Sequence, residues 1–65
     1  MPLIHVEILE GRPPEKIRKM IEKVTDAVEE ALEAPRPSIR VIVTEIPKTH
    51  WAVGGVPIAD NPDRR

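Results

Sequence analysis

Between Pro14 and Leu32 the apolar residues recur at spacings of three and four, and no other feature of the sequence restricts the fold as strongly. Ile17, Met20, Ile21, Val24, Ala27, Val28, Ala31 and Leu32 fall on one stripe of an α-helix, with charged residues on the opposite face. Pro14 suits a first helical turn, where its missing N–H has no intrahelical partner to lose. Ala34-Pro35-Arg36-Pro37 ends the helix, because a proline drives the residue before it into extended geometry. A helix with one apolar stripe must lay it on another element.

The flanking segments supply that element. Residues 3–9, LIHVEIL, alternate, with Ile4, Val6 and Ile8 on one face and Leu3, His5 and Glu7 on the other. Residues 38–46, SIRVIVTEI, form a second strand, with Ile39, Val41 and Val43 on one face and Arg40, Ile42, Thr44 and Ile46 on the other. It is richer in β-branched residues and apolar on both faces, which predicts a central place in a sheet. A helix between two strands acts as a crossover and makes the strands parallel. The segment His50–Val56 is apolar, contains Gly54-Gly55, and is predicted to form a short hairpin after the turn at Pro47-Lys48-Thr49. The last nine residues, 57–65, read as a tail that orders only against a partner. The fold class is therefore α+β, a single β-α-β domain over residues 1–65 with a C-terminal hairpin.

Such a unit is poorly self-sufficient. With 65 residues it buries only about 60% of the surface of its unfolded chain. There is no cysteine to staple it, and His5 and His50 have no carboxylate at ligand spacing, so neither a disulfide nor a metal is expected. Association with further copies is the remaining device. Two strands under one helix also leave a sheet face bare and both edges open. The helix is basic in its first half (Lys16, Arg18, Lys19, Lys23) and acidic in its second (Asp26, Glu29, Glu30, Glu33), the reverse of what the helix dipole favours. Either this is a solvated face relieved by pairs such as Glu15–Lys19 and Arg18–Glu22, or an antiparallel twin helix across a two-fold axis matches basic half to acidic half.

The net charge of −1 gives no footprint for nucleic acid and no basic face for a membrane. No apolar run approaches a membrane span, and the first residues lack the layout of a signal peptide, so the cytoplasm is the default address.

Four residues stand out chemically. Pro2 follows Met1; removal of the methionine would expose a secondary amine, and α-amines titrate near ~7.7–8.0 before perturbation. An apolar pocket or nearby cations would lower that value and leave a base neutral near pH 7, suited to moving a proton beside a carbonyl. With Met1 retained, the nitrogen is a tertiary amide without basicity. Arg40 lies in a mostly apolar strand and needs a partner, either a structural carboxylate (Glu7 or Glu45) or a carboxylate ligand, which a guanidinium binds in bidentate fashion. Arg12 sits in the strand-to-helix turn beside Gly11, where a solvated role is the simplest. Trp51, the one aromatic residue, is either interface packing or a pocket wall.

These residues stand in a recognisable order. Pro2, Ile8-Leu9-Glu10-Gly11-Arg12, Ala34-Pro35, Ser38-Ile39-Arg40-Val41-Ile42, Thr44-Glu45, Lys48, His50-Trp51 and Val53-Gly54-Gly55 together resemble 4-oxalocrotonate tautomerase and its relatives, over most of the chain from Pro2 to about Val56. The resemblance implies β-α-β subunits that pair into a four-stranded sheet with two antiparallel helices, and homohexamers built as trimers of dimers. It implies a cofactor-free isomerase of aromatic hydrocarbon catabolism, acting on 2-hydroxydienoate or 2-oxo-enoate acids such as 2-hydroxymuconate. In that scheme Pro2 is the general base. Arg40 binds the C1 carboxylate and the 2-oxygen and stabilises enolate charge, and Arg12 binds a distal carboxylate, both reaching the site from neighbouring subunits. Leu9, Ser38 and Trp51 belong to the substrate-binding set, Trp51 as the aromatic wall of the proline's pocket, where phenylalanine is usual. Pro13-Pro14 and the residues from Pro57 onward depart from the family pattern. The alternatives are a hydratase or dehalogenase-type relative, in which a carboxylate such as Glu10 or Glu45 activates water, and a non-catalytic oligomeric scaffold that keeps Met1.

Overall fold

The computed structural model describes residues 1–60. Its elements run β1 (Leu3–Leu9), α1 (Pro14–Leu32), β2 (Arg40–Ile46), β3 (Ala52–Val53) and β4 (Val56–Pro57), with single 3-10 turns at Arg36–Ser38, Lys48–His50 and Ile58–Asp60. The helix spans the range its apolar spacing predicts, begins on a proline, and ends where Glu33 turns left-handed (φ 52°) ahead of Pro35. β1 and β2 pair in parallel from Leu3 opposite Arg40 to Leu9 opposite Ile46. The second strand starts two residues later than its alternation predicts, because Pro35 and Pro37 wind residues 36–38 into a 3-10 turn.

The alternation places Ile4, Val6 and Ile8 with Val41 and Val43 on the half-buried, helix-covered side of the sheet. The other side carries Leu3, His5 and Glu7 beside Arg40, Ile42 and Thr44, and it is bare: Leu3 is 63% exposed and Ile42 52%. His5 Nε2 and Thr44 Oγ1 are hydrogen-bonded at 2.9 Å across that face. The hairpin forms as expected, Val53 pairing with Val56 across Gly54 and Gly55. Both glycines have positive φ (59° and 85°), the geometry of a tight two-residue hairpin turn that side-chain-bearing residues adopt only under strain.

Two expectations are corrected. The tail predicted from Pro57 onward does not begin there: Pro57 ends β4, residues 58–60 form a turn, and the Ile58 N–H donates to the Trp51 carbonyl at 2.8 Å. Ile58 is buried, in a turn that lies against the Lys48–His50 turn, and that apolar burial helps hold the segment. Residues 61–65 of the expected tail lie outside the described residues. The helix charges are also relieved differently. Among the described residues the ion pairs are not Glu15–Lys19 or Arg18–Glu22 but Arg36 Nη1 with Asp26 Oδ1 (2.8 Å) and with Glu29 Oε1 (3.1 Å). The Asp26 hydrogen bond, then that of Glu29, holds the exposed guanidinium above its ordinary pKa.

Among the described residues only Ile39 and Ile58 are buried, and no helix residue is. The radius of gyration is 14.8 Å, against about 11 Å for a compact domain of this length. A single chain thus presents apolar surface on the sheet, the helix (Leu32, 63% exposed) and the hairpin (Val53 and Val56, 44%) without enclosing a core. No helix among the described residues is long and apolar enough to cross a membrane.

Candidate functional site

The residues singled out in the sequence fall at the two ends of the β1–β2 sheet. At the N-terminal end, Pro2 is half-buried while Met1 before it is 88% exposed. The Pro2 carbonyl accepts the Arg40 N–H at 3.0 Å, so the main chains of Pro2 and Arg40 are tied where the two strands begin. This follows from parallel pairing: both strands start at one end, and each brings its first residues there.

Within one chain Arg40 takes neither of the carboxylates that the sequence offers. Its Nη1 donates to the Pro37 carbonyl at 2.7 Å, and among the described residues it pairs with neither Glu7 nor Glu45. The side chain is exposed, and a guanidinium holding one neutral carbonyl keeps its charge and its other donors for an anion. Ser38 packs into the turn that precedes it: both its N–H (2.9 Å) and its Oγ (2.7 Å) donate to the Pro35 carbonyl. The Ser38 oxygen retains acceptor capacity but spends its proton on the turn.

At the opposite end, Leu9 closes β1 half-buried, and its carbonyl accepts Arg12 Nη1 at 3.2 Å. Arg12 is exposed beyond it. The seven residues of β1 place Arg12 about 20 Å from Pro2 along the sheet. The chain leaves β2 at this same end, passes through the turn at Lys48–His50 and reaches half-buried Trp51, whose carbonyl receives Ile58. One chain therefore brings together Pro2, Ser38 and Arg40, and separately Leu9 and Arg12, but it does not join the two groups. Sequence reasoning missed Arg36, whose partners lie ten and seven residues back on α1. Among the described residues no three His, Asp or Glu side chains converge as a metal site.

Comparison with known proteins gives a consistent answer. The sequence profile of the family described as "Tautomerase enzyme" matches residues 2–61. A 2-hydroxymuconate tautomerase of Stutzerimonas stutzeri is 46% identical over 55 residues, covering 85% of this chain and 87% of that protein. The crystal structure of TomN, a 4-oxalocrotonate tautomerase homologue of the tomaymycin biosynthetic pathway, superposes with a TM-score of 0.92 at 42% identity, covering 95% of both chains. A chain of the heterohexameric 4-oxalocrotonate tautomerase of Chloroflexus aurantiacus superposes with a TM-score of 0.89 at 34% identity, covering 94% of this chain and 98% of that one.

Proposed function

The chain belongs to the tautomerase family and is a 4-oxalocrotonate tautomerase-like isomerase; on that premise we propose that Pro2, freed by removal of Met1, is the general base that moves a proton within 2-hydroxydienoate or 2-oxo-enoate acids. The observation that carries this reading is the position of Pro2: half-buried at the start of β1, tied to Arg40, behind a methionine that is 88% exposed and so open to removal.

The proposed chemistry follows from the groups present. The neutral secondary amine of Pro2 takes the proton from the dienol oxygen or from carbon and returns it to another carbon of the conjugated system. Negative charge develops on the 2-oxygen. The Arg40 guanidinium binds the C1 carboxylate and that oxygen, and its contact strengthens as the charge forms, so it lowers the barrier beyond what it adds to binding. Arg12 takes the distal carboxylate of a dicarboxylate. Trp51 and Leu9 exclude water, and Ser38 borders Arg40. Burial and neighbouring cations both disfavour a protonated amine, so activity rises with pH through one ionisation below that of an ordinary α-amine.

The separation of Arg12 from Pro2 by the length of β1 supports a site completed by neighbouring subunits. The shortage of buried residues supports the assembly itself: a homohexamer of three dimers, each dimer with a four-stranded sheet and two antiparallel helices, working in the cytoplasm. The heterohexameric relative from Chloroflexus aurantiacus makes a six-chain assembly reasonable. 2-Hydroxymuconate, the substrate class in the name of the Stutzerimonas stutzeri relative, is the first substrate to try.

The test compares Met-free and Met-retained protein, both verified by intact mass, in an ultraviolet assay with 2-hydroxymuconate. Activity confined to the Met-free form is expected, with Pro2→Ala retaining a weak remnant because it leaves a primary amine. Equal rates from the two forms overturn Pro2 as the base.

A further inference from the structure

The turn before β2 is braced more heavily than a connection needs. Residues 36–38 form one 3-10 turn whose Pro35 carbonyl accepts twice from Ser38, while the Arg36 carbonyl accepts the Ile39 N–H at 3.1 Å. Pro35 and Pro37 fix two of its φ angles. From its start, Arg36 reaches back to α1 and places one nitrogen, Nη1, between Asp26 Oδ1 and Glu29 Oε1. From its middle, the Pro37 carbonyl holds Arg40 Nη1 at 2.7 Å. The contacts form one line: the acidic second half of α1, Arg36, the turn, the Pro37 carbonyl, the Arg40 guanidinium.

We propose that Arg36 is a positioning residue, clamping the Pro35–Ser38 turn to α1 so that the Pro37 carbonyl presents the Arg40 guanidinium in its anion-binding orientation. The inference rests on the reading of Arg40 as the substrate-carboxylate and enolate ligand. A long exposed arginine samples many rotamers, and ordering it before substrate arrives removes an entropic cost of binding and of reaching the transition state. Carbonyl contact fixes one end of the fork without neutralising it. Arg36 also gives a reason for the acidic half of the helix: Asp26 and Glu29 lie where the dipole disfavours them, and they anchor the turn.

The experiment measures kcat and KM for 2-hydroxymuconate with Arg36→Ala and Arg36→Lys, each in the wild-type and the Arg40→Ala background, with the assembly checked by native mass spectrometry. Because both carboxylates share a single nitrogen of Arg36, a lysine ammonium can replace it, so Arg36→Lys retains near wild-type kcat/KM. Arg36→Ala lowers kcat and kcat/KM about two- to fivefold, the scale of an exposed ion pair, and lowers neither further once Arg40 is gone. The double variant Asp26→Asn with Glu29→Gln, which removes the clamp from the helix side, reproduces Arg36→Ala and serves in its place if that variant fails to assemble. Unchanged kinetics in Arg36→Ala, or the same loss in both backgrounds, overturns the inference. Full activity in Arg40→Ala alone overturns instead the role of Arg40 on which it rests.

Discussion

The two ends of the β1–β2 sheet are each closed by a main-chain hydrogen bond of 3.0 Å, Arg40 N–H to the Pro2 carbonyl and Glu10 N–H to the Ile46 carbonyl, but they hold their arginines differently. At the start of the strands, Pro2 and Arg40 share a main-chain hydrogen bond, and Arg40 is held by a braced proline turn. At the far end, Arg12 has one contact to the Leu9 carbonyl, and Trp51 sits on a hairpin that is anchored by Ile58. In the proposed mechanism the braced end carries the groups that meet developing charge, where misplacement is most costly. In the same mechanism the looser end carries groups that recognise the remote part of a substrate, where adaptability is tolerable. Parallel pairing makes this division unavoidable, since it sends the beginnings of both strands to one end and both exits to the other.

That contrast can be broken, starting from its strongest prediction. Retaining Met1, or acylating the N-terminus, removes the proposed base at the braced end and lowers kcat/KM by about 10²–10⁴-fold, the range a positioned general base supplies, with the circular dichroism spectrum unchanged. Arg40→Ala loses about 10²–10³-fold in kcat/KM, with kcat falling as well, because its contact strengthens with the enolate. Steady-state kinetics on an intact assembly checks it, and an unchanged kcat would remove Arg40 from the transition state. Arg12→Ala, at the looser end, loses about ten- to a hundredfold through KM, the worth of one charged hydrogen bond, and only with dicarboxylates; a monoacid substrate shows no difference. Ile58→Ala costs about 2–4 kcal/mol in unfolding free energy and raises KM by loosening Trp51, with kcat held. A fall in kcat without a change in KM would show that the hairpin end reaches the reacting atoms.

Much of the architecture was legible because it rests on local periodicity. The helix limits at Pro14 and Leu32, the alternation of Ile4, Val6 and Ile8, and the Gly54-Gly55 turn follow from spacing and from glycine and proline chemistry. The illegible parts depend on contacts distant in sequence. Nothing near Ile58 marks it as buried, because its turn packs against the Lys48–His50 turn across the intervening hairpin segment. Nothing near Arg36 marks Asp26 and Glu29 as its partners, because they meet only once the chain doubles back after α1. The proposed site rests on residue types, Pro2, Arg12 and Arg40, which the sequence displays, and on a geometry that it does not. Composition does not say that Arg12 lies a strand's length from Pro2, the distance for which the proposed mechanism calls on a second chain.

Subunit complementation tests this central claim directly. Met-retained chains keep Arg12 but lack the base; Met-free Arg12→Ala chains keep the base but lack Arg12. The two are unfolded together at equal concentration, reassembled, and assayed with 2-hydroxymuconate at low substrate concentration, with mixed assemblies confirmed by native mass spectrometry. If Pro2 and Arg12 of one site come from different chains, random mixing restores about a quarter of the wild-type sites in the oligomer, and kcat/KM rises well above the mean of the two separately assembled proteins. A mixed assembly whose kcat/KM equals that mean would contradict the account, because it would mean that one chain supplies both residues to its own site.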